Sequence, residues 1–147
     1  MKVIVAFVLL SINALSVTFA QETIDWARLS DVAFTDQFDT ERGINYQEAI
    51  FGPGVVPLDG QDVVIIGYVI PLDAYGIGYA LSRNPNASCF FCGGAGPETV
   101  LELRLKPSAM RRYRTDDRRY FRGTLQLNIS NADNFTYVLL NAEAVSY

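Results

Sequence analysis

The 147-residue sequence contains no histidine. Its absence removes the Ser-His-Asp triad, the Cys-His dyad, the His-rich zinc centre and the imidazole proton shuttle. Only two cysteines and one tryptophan are present. With no heptad run or longer internal repeat, solenoids and coiled coils are excluded. Charged residues make up 19% of the chain and the formal net charge is −4, an acidic balance poorly matched to nucleic acid. No phosphate-loop lysine follows the glycine-rich stretch, and no motif forces two carboxylates together as glycoside hydrolysis requires. These absences point away from an enzyme without deciding the matter.

Half of the sequence is apolar, enough to exclude a disordered acidic tail and to predict one small globular domain. Lys2, the apolar run Val3 to Leu10 and the close at Thr18-Phe19-Ala20 have the three regions of a secretory signal over residues 1–20, cleaved after Ala20. Ser11, Asn13 and Ser16 interrupt the stretch, whereas a membrane span needs about 20 mainly apolar residues. No transmembrane span is therefore expected after cleavage, and the expected location is periplasmic or extracellular. Loss of Lys2 leaves the remainder one charge more acidic. That remainder, 21–147, is expected to fold as a single domain with 21–58 packed on it as an extension.

Within the extension, Thr23 is placed to cap a short helical turn carrying Trp26 and Leu29 on one face. Gly52-Pro53-Gly54 and Asp59-Gly60 are turn signals. Val63 to Pro71 is rich in β-branched residues and stopped by proline, which predicts a central strand bent at Gly67, with Gly78 to Leu81 as its hairpin partner. In Val100 to Lys106, Leu101, Leu103 and Leu105 alternate with Glu102, Arg104 and Lys106. In Phe121 to Asn128, Phe121, Gly123, Leu125 and Leu127 alternate with polar residues. Both patterns predict strands with one wet face. Phe135 to Val145 is apolar at nearly every position and predicts a strand covered on both sides that closes the sheet. Five strands, mid-strand glycines and about 15 residues between the third and fourth predict a mainly β fold, a small five-stranded antiparallel OB-like barrel. A seven-stranded sandwich is the second choice.

The most unusual chemistry lies between the second and third predicted strands, where Cys89 and Cys92 form a Cys-x-x-Cys pair beside Phe90, Phe91, Gly93, Gly94 and Gly96. Such a pair closes a small disulfide or stays buried as thiols, presents two thiolates to a soft metal such as zinc or copper, or exchanges thiols with Cys89 as nucleophile. Zinc takes four ligands, and without histidine the others must come from carboxylates such as Glu98 or from a second molecule. The glycines work against a helix that would depress the Cys89 pKa. They permit either an anion nest or a tight reversal.

Arg111, Arg112, Arg114, Arg118, Arg119 and Arg122 stand with Asp116 and Asp117 inside twelve residues, the strongest charge asymmetry in the chain. The segment reads either as a docking surface for an anionic partner or as a solvated connection whose aspartates pair with neighbouring arginines. Sequons at Asn86, Asn128 and Asn134 carry meaning only in a eukaryotic secretory pathway.

The runs Asp59-Gly60-Gln61-x-Val63-x-Ile65-x-Gly67-Tyr68-Val69-Ile70-Pro71-Leu72 and Ser88-Cys89-Phe90-Phe91-Cys92-Gly93-Gly94-Ala95-Gly96-Pro97-Glu98 resemble an uncharacterised family of exported bacterial proteins, classed as a domain of unknown function. The resemblance runs from about Trp26 to the end. It implies a Gram-negative periplasm, an OB-like domain and no established activity. Other branches of that family carry Cys-x-His where this chain has Cys89 and Phe91, which implies that Cys92 replaces the imidazole. Its members accompany membrane transport systems, which implies an envelope or transporter protein as partner. Taken together, the expectation is a periplasmic, non-enzymatic binding or accessory module whose Cys89–Cys92 loop contacts a soft metal or a partner. Its alternatives are thiol-disulfide exchange by Cys89 and Cys92, and docking through Arg111, Arg112, Arg114, Arg118 and Arg119.

Overall fold

Alternation and β-branching set the main strands where the sequence places them. The computed structural model describes residues 21–85, 95–129 and 135–146. The expected leader, the Cys89–Cys92 pair with Phe90, Phe91, Gly93 and Gly94, and the sequon asparagines Asn86 and Asn134 lie outside the described residues. In chain order the strands are β1 (Glu22–Thr23), β2 (Val32–Asp39), β3 (Ile44–Phe51), β4 (Asp62–Pro71), β5 (Tyr79–Ser82), β6 (Val100–Leu105), β7 (Arg118–Leu127) and β8 (Tyr137–Val145). A four-residue helix, α1 (Trp26–Leu29), follows β1.

The sheet runs β1-β4-β5-β6-β8-β7 and closes because β4 also pairs with β7. Five strands thus make a closed barrel, and β1 adds to it in parallel beside Val63 and Val64. β4 serves two neighbours: Asp62 to Tyr68 pair with β7, and Tyr68 to Pro71 pair with β5. The barrel departs from the all-antiparallel expectation at one seam, since β6 and β8 are parallel. The long connection between β6 and β7 lets the chain cross to the far side before β8 enters.

At the bend in β4, Gly67 is required by space. A Cβ there would lie 2.7 Å from the Leu81 side chain and equally close to the Ser82 carbonyl oxygen. The barrel interior is the expected set. Val63, Ile65, Val69, Leu81, Leu101, Leu103, Phe121, Leu125 and Leu139 are buried in one cluster, with Ile24, Trp26 and Leu29 of the extension. β8 is covered throughout only at its start. Tyr137, Val138 and Leu139 are buried, but Asn141 is exposed, so the expectation of a strand covered on both sides holds for its first part.

Two features of the extension differ from expectation. The helix cap is Asp25, whose carboxylate accepts from the Arg28 N–H at 2.8 Å, while Thr23 belongs to β1. The second is a hairpin, β2 with β3, paired over eight residues from Val32↔Phe51 to Asp39↔Ile44. Its turn is held by Asp39, which accepts from the N–H groups of Glu41 and Arg42. Phe51 packs on Tyr137 with ring centroids 5.7 Å apart, fixing the base of the arm to the barrel.

Candidate functional site

The two ends of the barrel are built differently. One end gathers α1, the start of β8 and the turn Pro97–Thr99. There Trp26 donates its indole N–H to the Ile66 carbonyl at 2.7 Å, and the Tyr137 hydroxyl donates to the Leu29 carbonyl at 2.5 Å. Burial pushes the Tyr137 hydroxyl well above its ordinary pKa, and the nearby carboxylates of Glu98 and Asp31 add to the rise. Glu98 is half-buried in that turn. It is the one member of the expected metal set among the described residues, and among those residues no three His, Cys, Asp or Glu side chains cluster.

The other end carries the β4–β5 loop, residues 72–78, and the connection from β6 to β7, residues 106–117. The connection is anchored rather than loose. Tyr113 is buried, with its ring 5.4 Å from Tyr79 and 5.4 Å from Phe121, both edge-on. The Tyr113 N–H donates to the Tyr79 hydroxyl at 3.3 Å, and that hydroxyl donates to the Arg111 carbonyl at 3.4 Å. With Tyr113 turned inward, its neighbours Arg111, Arg112 and Arg114 face solvent. Asp116 and Val69 then tie the chain to β4, the Asp116 N–H donating to the Val69 carbonyl at 2.9 Å.

The β4–β5 loop is built around one carboxylate. Asp73 accepts from the backbone N–H groups of Tyr75 at 2.7 Å, Ile77 at 3.2 Å and Gly78 at 2.5 Å. These bonds, the one from Gly78 foremost, hold its carboxyl below the ordinary range. Gly76 has φ +72°, a left-handed conformation that side chains resist. The loop therefore turns its own polar groups inward and its apolar side chains out: Tyr75 is 77% exposed and Ile77 67%, with Leu72 also exposed. The Arg112 Nη2 donates to the Tyr75 carbonyl at 3.3 Å. That bond joins the loop to the arginine segment, on which Met110 is exposed as well.

The arginine run is thus split by the fold. Arg111 lies over the Tyr113 ring at 4.8 Å and Arg118 stands 6.0 Å above the Tyr68 ring. Among the described residues no carboxylate pairs with Arg111, Arg112, Arg114 or Arg118. Arg119 pairs with Asp117 at 3.6 Å, and Arg114 receives that same carboxylate on its backbone N–H at 3.3 Å. Arg118, Arg119 and Arg122 belong to β7 itself, not to a connection before it. Arg122 is removed from the group altogether. It sits on the barrel wall with Nη2 2.6 Å from Glu143 and lines a polar groove of about 470 Å³ with Asp62, Lys106, Thr124, Asn141 and Glu143. Lys106 approaches the same Glu143 oxygen at 3.8 Å, and Thr124 donates to Asp62 at 2.7 Å. Glu143 thus serves both cations of the groove, and Asp62 accepts from a hydroxyl.

Sequence reasoning found the arginines but missed Leu72, Tyr75 and Ile77. The signal was available: Asp73 and Gly76 bracket apolar residues in a seven-residue turn.

No protein-family model matches the chain, and no curated protein matches it. In fold it is similar to the crystal structure of a DUF3299 family protein from Pseudomonas aeruginosa PAO1, with a TM-score of 0.52 at 13% identity, covering 87% of this chain and 98% of that one. At that identity the likeness is one of fold, and the fold is one found in a domain-of-unknown-function family. Among the described residues no helix is long and apolar enough to cross a membrane.

Proposed function

We propose that this protein is an exported, non-enzymatic binding module that docks on an anionic partner through the face formed by residues 72–78 and Arg111, Arg112, Arg114 and Arg118. The observation that carries this reading is the bond from the Arg112 guanidinium to the Tyr75 carbonyl at 3.3 Å. It joins an apolar tip to a cationic segment on a chain whose formal net charge is −4. Local positive charge on an acidic protein steers one orientation of approach.

The test is retention on immobilised heparin, a polyanion, at low salt. The protein is expected to be retained and to elute as salt rises, because screening shortens the reach of exposed charges. Arg114→Glu with Arg118→Glu, which disturbs no hydrogen bond of the loop, should abolish retention. Retention of that variant equal to the parent would overturn the reading.

For Cys89 and Cys92, which lie in sequence between β5 and β6, we propose a separate contact, to a soft metal ion or a partner, with Glu98 as a candidate carboxylate ligand. Titration of the reduced protein with zinc or copper(I) should show one thiol-dependent site that Cys89→Ser removes. A single thiol of depressed pKa able to reduce a model disulfide would instead establish exchange chemistry.

A further inference from the structure

We infer that the anionic partner is a phospholipid surface, and that Tyr75 and Ile77 enter its interfacial layer while Arg111, Arg112 and Arg114 meet the phosphates; this rests on the docking reading above. Three observations favour a bilayer over an acidic protein.

The first is shape. The most exposed large apolar side chains among the described residues, Tyr75 and Ile77, stand on the turn between β4 and β5, whereas a protein partner is held by anchors seated in pockets. A tip of a few apolar groups flanked by cations suits insertion by roughly 5 to 10 Å at the headgroup boundary.

The second is the state of the backbone. Entry into an apolar layer is costly for any peptide group without a partner. Here the N–H groups of Tyr75, Ile77 and Gly78 are given to Asp73, the Leu72 N–H to the Gly78 carbonyl at 2.9 Å, and the Tyr75 carbonyl accepts from Arg112. The one acid in the tip, Asp73, accepts from three of the loop's own amides.

The third is charge placement. The Arg112 guanidinium touches the tip at the Tyr75 carbonyl, Arg111 and Arg114 flank it in sequence, and Met110 on the same segment is a further exposed apolar group. Tyrosine with arginine is the pairing that tolerates a half-wet boundary, since each has an apolar body and a polar end.

The experiment is co-sedimentation of the protein with vesicles of phosphatidylcholine alone and of phosphatidylcholine mixed with phosphatidylglycerol, run beside the heparin assay. Binding is expected only with the anionic mixture, and it should weaken as salt is raised. Tyr75→Ser with Ile77→Ser should lower vesicle affinity by about tenfold or more, from the lost apolar burial. Removing one arginine, as in Arg114→Ala, should lower it by about fivefold. Retention on heparin without vesicle binding would overturn the lipid assignment and leave an acidic protein as partner. Equal binding to both vesicle types, or full vesicle binding by the double serine variant, would overturn it too. Failure on both heparin and vesicles would remove the docking reading itself.

Discussion

The hydroxyl of Tyr137 donates to the carbonyl of Leu29 across 108 positions of sequence, at 2.5 Å and in a buried setting. It ties the first turn of helix in the extension to the start of the last barrel strand. The helical turn of the extension is therefore part of the core, through Trp26 and Leu29.

Replacing Tyr137 by Phe keeps the ring and its packing on Phe51 but leaves the Leu29 carbonyl without this donor. A buried acceptor stripped of its partner costs about 1 to 3 kcal/mol. Urea unfolding of Tyr137→Phe should show a lowered midpoint with an unchanged slope.

The same hydroxyl sets an alkaline limit. Its folded pKa lies above the ordinary 10.0, so the folded state holds the proton more tightly than the unfolded chain. Stability from this group is complete below about pH 10 and falls as pH rises toward the folded value. Alkaline unfolding should coincide with a rise in tyrosinate absorbance, and Tyr137→Phe should remove that steepness.

Asp73 works at the other extreme. Its folded pKa is lowered by backbone N–H groups, so its contribution is present above the ordinary carboxyl range and is lost as pH falls through the folded value. Amide resonances of Ile77 and Gly78 should move together below about pH 3.9. Asp73→Asn should weaken the loop at neutral pH, seen as faster amide exchange at those two residues, with the global midpoint little changed.

Gly67→Ala places a methyl against Leu81 and the Ser82 carbonyl at the bend of β4. Overpacking of this kind costs about 1 to 3 kcal/mol. Thermal unfolding should show a lower Tm, and a Tm equal to the parent would show that β5 moves aside freely.

The barrel strands were legible because alternation is a local property. Leu101, Leu103 and Leu105 against Glu102 and Arg104 declare an inner and an outer face whatever the partner strand. The β2–β3 hairpin was less legible. Asp36 interrupts the series Val32, Phe34, Phe38, and the arm buries apolar surface only near its base, at Ala49 and Phe51. The turn chemistry of Asp39 and Gly43 was the available sign. The candidate face was half legible: six arginines stand out in a row, but their grouping is spatial. Arg122 leaves the set because it lies on β7 opposite Glu143 of β8, a pairing that depends on strand register.

From the residues alone came the missing imidazole chemistry, the period-two strands, the bend at Gly67 and the concentration of cations late in the chain. Each depends on composition or on neighbours a few positions apart. Closure of β4 on β7, the parallel seam of β6 with β8, the inward turn of Tyr113 and the meeting of Arg112 with Tyr75 were decided by tertiary structure. They join residues 34 to 62 positions apart, and only the packing of a closed barrel selects among the many partners that a local pattern permits.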